Sequence, residues 1–192
     1  RRRSIKVTVV KPVRKGGVIV SSTRIRGKVA SGSLAEASRM LGRPFSILGT
    51  VVKGRAVGME IGFPTANVAT CNEVLPPLGI YAVKAAVGGR IFNGAADVGV
   101  SPTFAGAAKR KTAIEVHLIG VRRNLYGKEI EVFFVKRLRA EKRFNSVPEL
   151  KRQIEKDVIR ARKALQGGQR KFQESLFTKT GRLYIVPRQT QK

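Results

Sequence analysis

Gly54-Arg55-Ala56-Val57-Gly58-Met59-Glu60-Ile61-Gly62-Phe63-Pro64-Thr65-Ala66-Asn67 sets three glycines four residues apart, ahead of a proline and two side chains with neutral oxygens. Glycine lets a backbone approach phosphate oxygens that a Cβ would push away. Thr65 and Asn67 offer hard oxygen ligands to Mg²⁺, or hydrogen bonds to a phosphoryl group. The stretch is neither a Walker A loop nor a dinucleotide fingerprint, because Gly-Lys-Ser/Thr and G-x-G-x-x-G are both missing. Spacing alone leaves two readings open, a pair of tight turns or a nucleotide loop.

Downstream, apolar and polar residues alternate. Tyr81, Val83, Ala85 and Val87 alternate against Ala82, Lys84 and Ala86, and Ile114, Val116 and Leu118 against Glu115, His117 and Ile119. Ile130, Val132 and Phe134 alternate against Glu131, Phe133 and Val135. Short strands separated by Gly and Pro turns predict a mainly β, small antiparallel barrel from Phe45 to Leu138.

Upstream, residues 5–10 (Ile-Lys-Val-Thr-Val-Val) predict a strand, Lys15-Gly16-Gly17 a turn and residues 18–20 a second short strand. Ser21, Ser22 and Thr23 open a short helix toward Ala30, whose N-terminus beside Arg24 is a possible anion site. Ser33 and Glu36 form a capping box for a linker helix that Gly42 stops, with Pro44 beyond. Ser146 and Glu149 form another, with Pro148 in the first turn. Val147, Leu150, Ile154, Val158, Ala161 and Leu165 then make one apolar stripe ending at Gly167-Gly168. Leu183-Tyr184-Ile185-Val186 is long enough for one more strand. The expected organisation is a leading segment and linker helix over 1–42, a barrel with a C-terminal helix over 43–166, and a basic extension over 167–192.

The chain of 192 residues, 42% hydrophobic, suffices for one sizeable core. A single cysteine, Cys71, excludes an internal disulfide framework and fits a reducing intracellular compartment. No apolar run reaches the length of a membrane-spanning helix, so no membrane partner is expected. The sequence opens on Arg1, as a fragment or a processed chain would, and its Arg-rich start points to a mitochondrion or plastid. Lys and Arg number 39 against 12 Asp and Glu, a net charge of +27, and the first 28 residues hold ten cations and no acid. Such charge repels itself in a compact fold. Neutralising phosphates and releasing their counterions offsets that, so the expected polyanion partner is RNA.

Gly62-Phe63-Pro64-Thr65-Ala66-Asn67 resembles the signature of riboflavin kinases. Ser21-Ser22-Thr23-Arg24-Ile25-Arg26 resembles the closing motif of the adenylyltransferase half of bacterial bifunctional riboflavin kinase/FAD synthetases. Leu41-Gly42-Arg43-Pro44-Phe45, Gly79-Ile80-Tyr81-Ala82, Pro102-Thr103-Phe104, Ile114-Glu115-Val116-His117 and Leu125-Tyr126-Gly127-Lys128 follow in that family's order. So does Arg139-Ala140-Glu141-Lys142-Arg143-Phe144-Asn145-Ser146. The likeness runs over about residues 5–165. It implies a six-stranded Greek-key barrel, Mg²⁺ and ATP as cofactor and co-substrate, and riboflavin phosphorylated to FMN. It further implies that Gly54, Gly58 and Gly62 line the ATP loop, that Thr65 and Asn67 hold Mg²⁺ and the transferred phosphate, and that Glu115 is the general base. Arg139 and Glu141 fall on its flavin-side flap, unless they are simply a surface ion pair, and His117 reads as a satisfied structural histidine. The histidine motif of the adenylyltransferase half would lie upstream of this sequence, so adenylyl transfer is not expected.

Met59 stands where the family usually has Arg or Lys, with acidic Glu60 next to it. Asp97 replaces a usual Asn or Ser, Val100 a usual Thr and Asn145 a common Asp. These departures point to relaxed substrate binding. Two functions are therefore carried forward: an active riboflavin kinase with basic docking extensions, and a degenerate flavokinase-derived subunit of a large assembly such as an organellar ribosome, contacting rRNA.

Overall fold

The computed structural model describes residues 8–54, 57–100, 112–166 and Phe172. Parts of the sequence reading lie outside these residues: Pro102-Thr103-Phe104, Gly167-Gly168 and the strand expected at 183–186.

The leading segment departs from expectation. Residues 8–10 have no regular structure, and Val9 and Val10 are almost fully exposed. β1 (Arg14–Lys15) instead pairs with β2 (Val18–Ile19) across Gly16-Gly17, both at positive φ, which a two-residue hairpin turn demands. β-branched residues favour strands only where a face is buried, and residues 8–10 have none to cover.

α1 (Ser22–Ala30) starts with the Ser21 hydroxyl accepting from the Arg24 amide. α2 (Leu34–Leu41) ends at Gly42 in the left-handed conformation. The capping box expected at Ser33 does not form, since its side chain makes no cap bond and Glu36 pairs with Lys28 at 2.6 Å. Val29, Leu34 and Ala37 join the core, so this linker is packed against the barrel.

β3 (Ser46–Val52), the one-turn α3 (Val57–Glu60), β4 (Ala66–Thr70), β5 (Gly79–Val87), β6 (Arg90–Val100), β7 (Thr112–Leu118) and β8 (Glu129–Arg139) follow. The six strands from β3 to β8 close into an antiparallel barrel in the order β3-β4-β7-β6-β5-β8, as expected from the sequence. The alternating sets Tyr81/Val83/Ala85/Val87, Ile114/Val116/Leu118 and Ile130/Val132/Phe134 all fill its interior. Strand pairing is uneven. β5 and β6 pair from Gly79–Val98 to Val87–Arg90, whereas β4 meets β7 only at Ala66–Val116 and Asn67–Glu115.

α4 (Val147–Leu165) lies across the outside of β5, β6 and β8. Ala161 and Leu165 pack on Ala82 and Ala95, burying the second face of β5. Ser146 caps α4 by accepting from the Glu149 amide. Val147, placed on the stripe by its spacing, is exposed because it precedes the first packed turn.

Candidate functional site

Asn67 on β4 and Glu115 on β7 are direct cross-strand partners, and Glu115 is in turn opposite Asp97 on β6. All three point outward, because the residues alternating with them fill the barrel. The Thr65 hydroxyl donates to the Glu115 carboxylate at 3.2 Å. The glycine segment is folded onto this row. The Phe63 amide donates to the Gly58 carbonyl at 2.7 Å, and Gly62 reverses the chain at φ 88°. A Cβ on Gly58 would collide with the Phe63 carbonyl and press on Thr65, and one on Gly54 would collide with the Asn67 amide. His117 holds Pro64 in place, its Nδ1–H donating to the Pro64 carbonyl at 2.9 Å while Phe63 meets the ring edge-on.

Two cavities meet at Thr65, and Asn67 lines neither of them. The loop-side cavity, about 610 Å³, opens toward the β7–β8 connection and is lined by Met59, Gly62, Thr65 and residues 121–126. The helix-side cavity, about 460 Å³, lies between the barrel and α4 and is lined by Gly58, Asp97, Glu115, Arg139, Glu141 and Phe144 among others. Among the described residues, Thr65 is the one that lines both. The three glycines are thus divided: Gly62 faces the loop side, Gly58 the helix side, and Gly54 packs against Asn67.

Arg139 and Glu141 do not pair with each other. Arg139 donates from Nε and Nη2 to Asp157 Oδ2 at 2.9 and 2.7 Å, and Gln153 donates to Oδ1 of the same carboxylate. Asp157 on α4 is buried although sequence gave no hint of a role for it. Glu141 turns back toward Asp97, and both carboxyl groups crowd the bare Cα of Gly99. Sequence reasoning also passed over Arg122, Arg123 and Asn124, whose only signal was their position just before Leu125-Tyr126-Gly127-Lys128.

Asp97 is the electrostatic anomaly. One of its oxygens is buried without a hydrogen-bond partner among the described residues. Burial first, then the nearby Glu141 and Glu115, push its carboxyl from an ordinary 3.8 up to about 6, against the pull of Arg139. A carboxyl raised on folding binds more protons in the native than in the unfolded state, so its contribution to stability is full below pH 3.8 and is lost as pH rises through 6. Asp97→Asn is therefore expected to stabilise the protein at pH 7.5 by about 3 kcal/mol and to have much less effect at pH 4. Urea denaturation at the two pH values measures this, and an equal shift at both would contradict it.

Neutral oxygens from Thr65 and Asn67 beside one carboxylate suit Mg²⁺ that arrives on phosphates and keeps its waters better than an all-protein cage.

A family model described as flavokinase, riboflavin kinase, matches residues 41–165. The chain belongs to the riboflavin kinase family. It is 45% identical over 149 residues to the bifunctional riboflavin kinase/FMN adenylyltransferase of Escherichia coli K12, covering 77% of this chain and 47% of that protein. The enzyme of the same description from Bacillus subtilis is 40% identical over 151 residues, 78% of this chain and 48% of that one. The chain thus spans about half the length of these curated relatives. A solved riboflavin kinase from Trypanosoma brucei shares the fold, with a TM-score of 0.51 at 21% identity over 69% of this chain and 82% of that one. A Streptococcus pneumoniae structure described as a macrolide-efflux protein superposes with a TM-score of 0.70 at 33% identity, over 80% of this chain and 50% of that one. The efflux role stays with that protein; among the described residues here no helix is long and apolar enough to cross a membrane.

Proposed function

We propose that this chain phosphorylates riboflavin at its terminal ribityl hydroxyl with Mg·ATP, giving FMN and ADP. The observation that carries the reading is the meeting of two ligand-sized cavities at Thr65, whose hydroxyl is hydrogen-bonded to Glu115. Phosphoryl transfer needs donor and acceptor in line, with little covalent chemistry left for the protein. ATP occupies the loop side and riboflavin the helix side, with its ribityl chain directed at Thr65. Glu115 accepts the proton as the hydroxyl oxygen bonds to the γ-phosphorus, and the bond to the β–γ bridging oxygen breaks to release ADP. Asn67 and Thr65 would hold Mg²⁺, which neutralises charge developing on the phosphates. His117, through Pro64, keeps Thr65 at the junction.

The test is incubation of the folded chain with riboflavin and Mg·ATP, followed by chromatographic detection of FMN. Formation dependent on all three components is expected, and no FMN from folded protein would overturn the reading.

RNA docking is proposed alongside it. Residues 8–19 are exposed throughout, and Lys11, Arg14 and Lys15 lie among them with no salt bridge to an acid among the described residues. Affinity for a single-stranded RNA should fall with salt, with a log–log slope of about −0.7 per phosphate neutralised. A flat response would remove RNA from the account. The degenerate-subunit reading, with rRNA as partner in an organellar ribosome, predicts RNA binding without FMN formation, so the two assays together separate the alternatives.

A further inference from the structure

The two cavities differ in charge. The helix side presents Asp97, Glu115, Glu141 and Asp157, with Arg139 already committed to Asp157 and Lys142 to Glu149. Among the described residues the loop side is lined by no Asp or Glu, and its charged lining residues are Arg122 and Arg123. Neither arginine makes a hydrogen bond or ion pair among the described residues. Two adjacent cations without a counterion repel each other unless an anion joins them.

The loop that carries them is held firmly. The Gly127 amide donates to the Val51 carbonyl at 2.8 Å, and the Val51 amide to the Lys128 carbonyl at 3.0 Å, fastening the loop to β3. Val121 and Leu125 pack against the barrel core on either side of the pair. The Asn124 side chain accepts from the Tyr126 amide at 3.0 Å and tightens the turn between them. Anchored apolar residues at 121 and 125 leave 122 and 123 exposed at the cavity. On the opposite rim, among the described residues, Met59 lines the cavity and is neutral.

We propose that Arg122 and Arg123 bind the phosphate chain of the nucleoside polyphosphate, so that anion recognition in this chain comes from the β7–β8 loop. The inference rests on the kinase reading for the identity of the occupant. Guanidinium groups suit it, since each presents several donors in a plane to phosphate oxygens. The apolar remainder of the cavity, including Val51, Val116 and Leu118, suits the nucleoside.

The test compares wild type with the full-length Arg122→Gln/Arg123→Gln double variant. Binding of Mg²⁺-loaded, N-methylanthraniloyl-labelled ATP is followed by anisotropy, and binding of riboflavin by quenching of its fluorescence. The double variant should bind labelled ATP about 10- to 100-fold more weakly, two charge-assisted contacts being lost. Its riboflavin affinity and melting temperature should stay at wild-type values. Inorganic tripolyphosphate should displace labelled ATP from wild type, and rising salt should weaken wild type more than the variant. Wild-type ATP affinity in the double variant overturns this inference and leaves the kinase reading standing. Failure of wild type itself to bind labelled ATP overturns both.

Discussion

Glu115→Gln folds like the wild type and makes FMN roughly 10²–10⁴ times more slowly, with the loss in kcat and little change in KM for either substrate. The amide keeps the shape of the side chain and can still accept from the Thr65 hydroxyl, so the junction between the cavities survives. What disappears is the capacity to take the hydroxyl proton. Stability should not suffer, because Glu115 lies directly across from Asp97 and like charges in that position repel. Initial rates of FMN formation with a thermal melt measure both quantities. A rate within threefold of wild type would remove Glu115 from the chemistry, and a matching fall in melting temperature would reassign it to structure.

Asp157→Ala is expected to cost about 3–5 kcal/mol, because it strands the Arg139 guanidinium in a site where only 18% of that side chain reaches solvent. Domains of ordinary stability hold about 5–15 kcal/mol, so the loss is a large fraction of the whole. Asp157→Asn, which still offers an oxygen to Arg139, should lose less. Urea denaturation at pH 7 ranks the three proteins. A loss under 1 kcal/mol for the alanine variant would mean that water screens the pair as it does on a surface.

The barrel was legible because its interior is written in a period of two. Tyr81 to Val87, Ile114 to Leu118 and Ile130 to Phe134 each bury the face that alternation selects. The same reading misplaced the first strand, since β-branched residues 5–10 alternate but their described part has no partner face. At Ser33 a local capping pattern lost to the Lys28–Glu36 ion pair. Thr65, Asn67 and Glu115 were legible as motif residues, and the register explains how residues some fifty positions apart come together. Asp157 was not legible. Its helix position looks like a solvated acid until Arg139 from β8 is laid against it, and no local pattern encodes that pairing. Arg122 and Arg123 were hidden for the opposite reason. A charged loop ordinarily reads as solvated surface, and only the anchoring of its flanks to β3 and the core makes these two part of a cavity.

The brevity of the β4–β7 ladder, only Ala66–Val116 and Asn67–Glu115, bears on how the molecule moves. Parting so short a stave joint breaks few backbone bonds, while β5 stays locked to β6 and β8 along its length. The barrel is therefore expected to open first along this seam. Deuterium should enter the amide of Ala66 sooner than those of Ala82 or Val83.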